Sequence, residues 1–536
     1  MKVHSAFSAG IGILFLGLLY YAGGNPALWA FKHGVSWAPV LVLCALIPIA
    51  FYVLLPDSTR IRIVHINFPI ILLLATIAVA CMWIFRQRLI LPPPEGNGDG
   101  IFLLEQIPVY TELFGFRASF DEILELYVHS KFYLICKSIG LSILDSYAIL
   151  SCVSGFFYVS IVLRFLNDRP LWHWLLGFAL LILTPAIELF FGYVEHYDAP
   201  TVLIAAVAML VLRMELPGPR QWMILGGLAA LGAAFHMFAG IALLPLAFYC
   251  YAQSENRKAF FRNALLAAIP AGVILGGVWI YFLFLAQHPI SIGESFFVKP
   301  PFYPWRQIVS LKHFLDTFNL LVLGMPALLC ILPLLLLIRP DRRTFQDWRI
   351  RFTLIGFLGF LGASFLIHPL LGFPADWDLF TIFQVYGNLL LFQLLIALER
   401  VGRVHMANLV PGILLVGLIS TGLWVHRNHM DSEESRITLD RILTNSSQFL
   451  QEIQNDKVFK AAQGPRKKTL VQVKLFLVGA KNNAKRHQPG LLAEIEREAR
   501  EFDRFVLLPD SEYRAEYPTI WGRLTDLNRR LEELPP

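Results

Sequence analysis

Long apolar runs alternate with short polar loops over most of the chain. Runs of about 17–25 apolar residues are long enough to cross the hydrocarbon core of a bilayer as helices. The sequence predicts such spans at 6–24, 37–55, 64–85, 147–165, 171–191, 199–213, 263–286, 314–338, 352–368, 379–398 and 408–426. The pattern therefore predicts an all-α, polytopic membrane protein whose first span is retained rather than removed as a signal peptide.

The run 222–250 is long for one span and short for two, and His236 lies in its middle. Basic residues collect in the loops beside the runs: Arg60, Arg62, Arg164, Arg169, Arg213, Arg220, Arg257, Lys258, Arg262, Arg339, Arg342, Arg343, Arg349, Arg351, Arg400 and Arg403. Because basic loops stay in the cytoplasm, we interpret 222–250 as two short helices with His236 near the outer tip. The sequence then predicts about 13 crossings, a cytoplasmic N-terminus and a C-terminus outside.

The polar residues 427–536 form a second region, which we separate from a membrane domain at 1–426. Helical periodicity predicts a small, mostly helical extramembrane domain there, although 467–479 fits a strand or a helix. A hydrophobic fraction of 56% and a mean hydropathy of +0.58 agree with the membrane assignment. The net charge of +6 comes largely from loop arginines and lysines, so it does not indicate a nucleic-acid partner.

The first long outer loop, 86–131, contains the tripeptide Gly98-Asp99-Gly100 and a second acid, Glu105. The two glycines permit a tight bend that holds one carboxylate in place. An ordinary surface turn is the alternative for Asp99, and a solvated side chain is the alternative for Glu105. Apolar positions in the second half of the loop predict an amphipathic helix on the membrane: Leu113, Phe116, Phe120, Ile123, Leu124 and Tyr127.

Other outer loops add acids, histidines and aromatics to the same face. Glu195, His196 and Tyr197 follow one span, and carboxylates and imidazoles at membrane depth usually face a cavity. Asp376-Trp377-Asp378 precedes another span, and we interpret it as an extended segment with both carboxylates on one side. Acids interleaved with aromatic rings suit sugars. Solvated loops, a packing role for His236 and a helix cap by Asp378 remain alternatives.

Basic groups on this face are candidates for binding a lipid phosphate. They are Lys299 and Arg306 in the loop 287–313, with Lys131 and the neighbouring His129 at the end of the first loop. A departing phosphate carries negative charge that such cations stabilise. Contact with lipid headgroups is the alternative for each.

The acid in the first outer loop, the amphipathic segment after it, the many spans with a short pair, and the C-terminal domain together resemble the GT-C class of integral-membrane glycosyltransferases. This class includes protein mannosyltransferases and lipid A aminoarabinose transferases. The resemblance implies a polyprenyl-phosphate sugar donor and a catalytic base at Asp99. Many members carry paired acids in this loop, whereas Gly100 follows Asp99 here, and whether Glu105 substitutes is open.

These observations favour a glycosyltransferase that moves a sugar from a polyprenyl-phosphate donor to a glycan, lipid or protein acceptor at the outer face of a bacterial inner membrane. Asp99 and Glu105 are the predicted catalytic residues, and Lys299, Arg306 and Lys131 are the predicted phosphate ligands. The predicted substrate-binding residues are Glu195, His196, Tyr197, His236, Asp376, Trp377 and Asp378. No cofactor is certain, and a divalent metal is compatible with the sequence. The alternative is a transporter or flippase, which predicts ionisable residues along a path through the membrane. A glycan polymerase or ligase would carry more arginines in large outer loops.

Overall fold

The computed structural model describes residues 2–21, 26–31, 63–86, 100–117, 119, 121–285, 302–368, 373, 376–428, 433–462, 465–487 and 489–532. Asp99, Lys299 and the predicted span 37–55 lie outside these residues. The α-helices up to residue 428 are Lys2–Tyr21, Phe68–Ile84, Gly100–Phe114, Ile123–Ser138, Ile143–Leu166, Leu171–Leu181, Asp198–Arg213, Pro219–Phe235, Leu243–Ala252, Arg257–Ile280, Trp305–Ile308, Leu311–Gly324, Leu328–Ile338, Trp348–Leu366, Trp377–Phe380, Gln384–Arg400 and Met406–Asn428.

Shorter elements connect these helices. They are the 3-10 turns Pro26–Phe31, Pro185–Phe190, Met237–Ala242, Thr344–Gln346 and Thr381–Phe383, the π-helical turn Tyr281–Leu285, and two strands, Ile63–Val64 and Arg169–Pro170. The strands pair antiparallel, with Ile63 opposite Pro170 and Val64 opposite Arg169. The fold is therefore all-α apart from this one short ladder among the described residues.

Five described helical stretches are long and apolar enough to cross a membrane: Ile143–Leu166, Arg257–Ile280, Trp348–Leu366, Trp377–Arg400 and Met406–Asn428. The stretch Trp377–Arg400 joins two of the helices above through the 3-10 turn Thr381–Phe383. Leu311–Gly324 and Leu328–Ile338 make a sixth if they count as one span, although they are bent by 101°. In Arg257–Ile280 only 11% of the apolar window is buried inside the protein. A helix that exposes so much apolar surface needs a lipid environment, so the helices support a membrane protein.

The predicted count of about 13 crossings is not supported by the described helices. Prolines account for two of the differences. The run 171–191 is helical only over Leu171–Leu181 and resumes as a 3-10 turn that starts at Pro185, and the run 314–338 bends beside Pro326. Proline lacks the N–H that continues a helix and clashes with the preceding turn, so it divides an apolar run that hydropathy alone treats as continuous.

The run 222–250 confirms the predicted pair of short helices. The helix Pro219–Phe235 ends just before His236. The 3-10 turn Met237–Ala242 then leads into the helix Leu243–Ala252. The backbone of His236 is extended, and its Nδ1 accepts the N–H of Phe238 at 3.2 Å. The histidine therefore stabilises the break between the two helices by capping the turn that follows.

The amphipathic helix predicted across 113–127 is wrong as a continuous element. One helix ends at Phe114, Gly115 has a φ of +82°, and the next helix begins at Ile123. A positive φ is readily accessible to glycine but cannot continue a right-handed helix. The break turns Glu122 and the helix Ile123–Ser138 into the protein, where Leu126 and Ser130 are fully buried.

The C-terminal residues are helical, as predicted. Their helices are Glu433–Asn455, Lys457–Ala461, Pro465–His487, Leu492–Val506 and Asp510–Glu532, with a 3-10 turn at Pro489–Leu491. The segment 467–479 is a helix rather than a strand. Leu470, Leu477, Ile495, Phe502 and Leu527 belong to a hydrophobic core of this region's own. Leu439 and Ile442 of Glu433–Asn455 belong to a core with Leu103 and Ile107 of the helix Gly100–Phe114. Val471 of Pro465–His487 belongs to a further core with Tyr110 of that helix.

Candidate functional site: a buried carboxylate–imidazole cluster

A cluster of acids and histidines lies where the first loop meets the segment 192–198 and the break at His236. We call it the polar cluster, and each of its side chains is between 1% and 9% exposed: Glu122, Glu125, His129, Glu195, His196, Asp198 and His236. Burying so many ionisable groups is costly unless they interact with one another or with a ligand. The cluster is therefore the strongest candidate for a functional site among the described residues.

Glu122 lies at the centre of the polar cluster between two imidazoles. Its Oε2 is 3.5 Å from Nε2 of His196, and its Oε1 is 3.7 Å from Nε2 of His236. The main chain fixes this arrangement, because Met237 donates its N–H to the carbonyl of Asp121 at 2.9 Å. Since Nδ1 of His236 accepts a hydrogen bond, its Nε2 carries the proton and faces the carboxylate. One carboxylate thus orients two rings from distant parts of the sequence.

Glu195 connects the first loop to this centre. Its Oε1 accepts the N–H of Gly100 at 2.9 Å, and its Oε2 is 3.9 Å from Nε2 of His196. Gly100 directly follows Asp99 in the sequence. The start of the helix Gly100–Phe114 is therefore held beside the predicted substrate residues Glu195 and His196.

Electrostatics within the polar cluster distinguish its members. Burial lowers the pKa of His196 to about 4, although Glu122 opposes the shift, so this ring is neutral at neutral pH. Burial raises the pKa of Glu122, but the facing imidazoles of His196 and His236 outweigh it and hold the value below its ordinary range. Glu125 behaves in the opposite way, because burial and the charge of Glu122 raise its pKa well above the usual value. Neighbouring carboxylates thus favour different protonation states, which is the arrangement that acid–base chemistry uses.

Three members of the polar cluster have the donor types of a cation site. Glu125, His129 and Asp198 are all buried, and one ligand atom from each lies within 4.8 Å of the other two. Nε2 of His129 is 2.8 Å from Oε1 of Glu125, one helical turn earlier. Glu125 lies in the segment predicted to rest on the membrane surface, where acids are expected to be solvated, so it is not among the predicted site residues. Asp198 directly follows the predicted residues Glu195, His196 and Tyr197 but is likewise not among the predicted site residues.

Aromatic side chains border the polar cluster. Tyr197 packs edge-on against His236 at 5.1 Å and against His196 at 5.7 Å between ring centroids. Tyr193 contacts Trp377 at 5.5 Å. Burial and the negative charges of Asp378, Glu195 and Glu188 raise the pKa of Tyr193. Asp378 and Trp377 therefore lie close to the segment that carries Glu195, as the sequence predicts for residues on one face.

The extended conformation predicted for Asp376-Trp377-Asp378 is wrong, because Trp377 begins a short helix that ends at Phe380. Asp378 lies inside this helix, whereas Asp376 precedes it, so the alternation of an extended strand does not relate the two carboxylates. Asp378 acts on Tyr193, whereas the charge of Asp376 acts on Tyr303. Asp378 also accepts the N–H of Leu379 at 2.8 Å.

A second group of rings surrounds Tyr303. Its ring centroid lies 4.6 Å from that of His313, 4.4 Å from that of His368 and 5.9 Å from that of Phe373. Burial and the charges of Asp316 and Asp376 raise the pKa of Tyr303. Neither His313, the last residue of the loop 287–313, nor Asp316, inside the run 314–338, is a predicted site residue. Tyr303 donates its N–H to the carbonyl of Leu366 at 3.0 Å, which holds its ring beside His313 and His368.

Several predicted site residues have other partners. The charge of Arg441, on the C-terminal helix, acts on Glu105 and opposes the rise in its pKa that burial causes. Lys131 donates to the carbonyl of Gly115 at 2.8 Å and lies over the rings of Phe116 and Tyr127. Arg306 is exposed on the short helix Trp305–Ile308. In contrast, Arg117 was not predicted as a phosphate ligand, yet its charge acts on Glu122 and His196.

Comparisons with protein-family models, with curated proteins and with solved structures find no match to this chain. Function is therefore inferred from the geometry of the polar cluster and its surroundings.

Proposed function

We propose that this protein is an integral-membrane glycosyltransferase of GT-C-like architecture, which uses a polyprenyl-phosphate sugar as donor. The observation that carries the proposal is the convergence of the first loop on the polar cluster. Gly100 donates a hydrogen bond to Glu195, and Glu122 lies between the imidazoles of His196 and His236. Such preorganised polar groups, surrounded by apolar helices, suit a polar reaction on a lipid-borne substrate. The acceptor is a glycan, a lipid or a protein.

The proposed reaction is a direct displacement. A lone pair of the acceptor oxygen forms a bond to the anomeric carbon, and the bond from that carbon to the phosphate oxygen breaks with its electrons. The acceptor proton passes to a carboxylate, for which Asp99 is the candidate from the sequence. Glu195, His196 and His236 would orient the sugar and the acceptor, and Asp376, Trp377 and Asp378 would form the neighbouring wall.

The leaving polyprenyl phosphate needs cations and an apolar groove. Arg117 is the described cation whose charge acts on the polar cluster, and Lys299 and Arg306 remain candidates from the sequence. We further propose that the site faces the outside of a bacterial inner membrane, with the N-terminus in the cytoplasm and the C-terminal region outside. The arginine-rich loops support this orientation.

The test is transfer from a purified lipid-linked sugar by the full-length protein in detergent. Asp99→Asn keeps the shape of the side chain but removes its basicity, and loss of a general base typically lowers the rate by about 10²–10⁴. Donor binding, measured separately, should stay close to wild type. Asp168→Asn is the matched control, because this exposed acid pairs with His65 and Arg213 away from the polar cluster. Wild-type turnover by Asp99→Asn would remove its catalytic assignment.

A transporter is the second candidate, and the broken helices favour it. Leu311–Gly324 and Leu328–Ile338 meet at 101°, and discontinuous helices beside buried charges are typical of transporter binding sites. Sealed vesicles containing the purified protein distinguish the two functions. Movement of a lipid-linked sugar across the bilayer without formation of a glycosidic bond would favour the transporter over the transferase.

A further inference from the structure

The segment Glu125-Leu-Tyr-Val-His129 places a carboxylate and an imidazole on one face of the helix Ile123–Ser138. Residues four apart lie one turn above each other, so both side chains reach the same point. Asp198 comes to that point as the first residue of the helix Asp198–Arg213. One ligand atom from each of the three residues lies within 4.8 Å of the other two.

This spacing suits a single cation. A tetrahedral Zn²⁺ site places ligand atoms about 2.1 Å from the metal and therefore about 3.4 Å from one another. His129 and Glu125 are already 2.8 Å apart, and the ligand atoms of all three residues lie within 4.8 Å of one another, so side-chain movements of about an ångström would close the site. A cation between His129 and Glu125 would replace their direct contact with two coordinate bonds.

An unpartnered atom points to a ligand independently of this spacing. Oε2 of Glu125 is buried without a hydrogen-bond partner among the described residues, and the side chain is 1% exposed. A buried carboxylate oxygen without a partner is expensive. The negative charge of Glu122 acts on Glu125 as well, so a cation beside Glu125 would reduce the repulsion between the two carboxylates.

We propose that Glu125, His129 and Asp198 form a binding site for a divalent transition-metal ion, with Zn²⁺ as the best fit. One imidazole with two carboxylates is a mixed nitrogen and oxygen donor set, which suits Zn²⁺ better than the all-oxygen preference of Ca²⁺ or Mg²⁺. Three protein ligands leave a fourth position for water or a substrate oxygen. The site does not depend on the proposed transfer reaction.

The first measurement is the metal content of the full-length protein, stripped with a chelator, exposed to limiting Zn²⁺ and washed. The wild type should retain about one zinc per chain. Glu125→Gln and Asp198→Asn should each weaken zinc binding by at least about tenfold, the lower end of the loss seen even for residues that support ligands. His173→Gln is the matched control, because it disrupts another histidine–glutamate pair, His173–Glu399. Among the described residues, no third metal-binding side chain joins this pair.

Two further readouts keep the test independent of folding and of turnover. Co²⁺ added to the stripped wild type should give the visible absorption of a bound ion, and both variants should lose it. Zn²⁺ should raise the melting temperature of the wild type and of His173→Gln, but not that of Asp198→Asn, whose amide keeps the shape of the side chain. Failure of the wild type to bind zinc, or equal binding by wild type and both variants, would overturn the site. None of these readouts depends on sugar transfer, so failure of the metal site is distinguishable from failure of the proposed function.

Discussion

Charged side chains are arranged in opposite ways in the polar cluster and in the C-terminal region. In the polar cluster, Glu122 faces two buried imidazoles at 3.5 and 3.7 Å, and Glu125 has an unpartnered oxygen. In the C-terminal region, Lys474 bonds directly to Asp456 and to Asp503, and its side chain is 20% exposed. Arg523 and Glu501 pair at 2.6 Å while about 40% exposed.

The difference separates stabilising charges from functional ones. Ion pairs that keep contact with water cost little to form and contribute little, typically below about 1 kcal/mol each. Buried charges that are loosely paired are expensive, so a protein that retains them usually needs them for a ligand or a reaction. Substitutions should therefore impair function in the polar cluster and change only stability in the C-terminal region.

The largest effect should follow loss of a ring from the wall of the polar cluster. Trp377 is 2% exposed and packs against Tyr193 and Trp424 at about 5.5 Å. Trp377→Ala should cost about 3–5 kcal/mol of unfolding free energy, since it leaves a large cavity. Trp521→Ala is the comparison in the C-terminal region, where the indole is only partly buried against Tyr517. Detergent-solubilised unfolding measures both, and equal losses would contradict the contrast.

The next effect should be on function. Glu122→Gln keeps the size of the side chain but removes the charge that orients His196 and His236. Transfer should fall at least about tenfold, equivalent to about 1.4 kcal/mol of barrier, with little change in expression. Glu112→Gln is the control, because Glu112 pairs with the exposed Lys137. Turnover of Glu122→Gln at the wild-type rate would place Glu122 among packing residues.

A smaller effect is expected in the C-terminal region. Lys474→Met removes two ion pairs while keeping the apolar stem, so it should cost about 1 kcal/mol of local stability. Lys481→Met should change stability by less than about 0.5 kcal/mol, because Lys481 is 42% exposed and has one partner, Glu496. Hydrogen exchange of the helix Pro465–His487 provides the measurement. A loss of turnover in Lys474→Met without a change in exchange would oppose the division between the regions.

The smallest expected effect is the acid sensitivity of the ion pair between Asp456 and Lys474. Burial raises the pKa of Asp456, but Lys474 and the N–H groups of Val458 and Phe459 outweigh it and lower the pKa. A lowered pKa means that the stabilisation is present above the ordinary carboxyl value of about 3.9 and is lost as the pH falls through the lower folded value. Hydrogen exchange corrected for its intrinsic rate should show this loss in the wild type. Asp456→Asn should remove the acid-sensitive part, and an unchanged pH profile would contradict the assignment.

The sequence predicts the helical fold, the break at His236 and the approach of the outer loops better than it predicts the spans. Loop charge places Glu195, His196 and Asp378 on one face, and the structure brings Glu195 and Asp378 to Tyr193. Hydropathy does not register how Pro185 and Pro326 divide apolar runs, and the described helices support five or six spans rather than about 13. A rule that proline ends or bends a helix would separate these two runs.

The centre of the candidate site is less accessible to sequence reasoning. Glu122 and Glu125 belong to an amphipathic segment, where acids are normally solvated, and their burial depends on the turn at Gly115 and on packing against distant helices. A glycine before an acid-rich segment and the Glu125–His129 spacing were the available signals. Neither signal identifies Asp198 as the third member, because that contact joins two helices far apart in sequence.

The packing of Glu433–Asn455 has a practical consequence for anyone who wants a shorter version of this protein. Its Leu439 and Ile442 cover Leu103 and Ile107, and its Phe449 and Ile453 belong to a core with Tyr110. Removing everything after residue 430 would expose these apolar side chains of the helix Gly100–Phe114, and the product would be prone to aggregate. A cut after Asn455 would also divide a core, because Val471 belongs to the same core as Tyr110 and Phe459 packs against it. The full chain is therefore the unit to express.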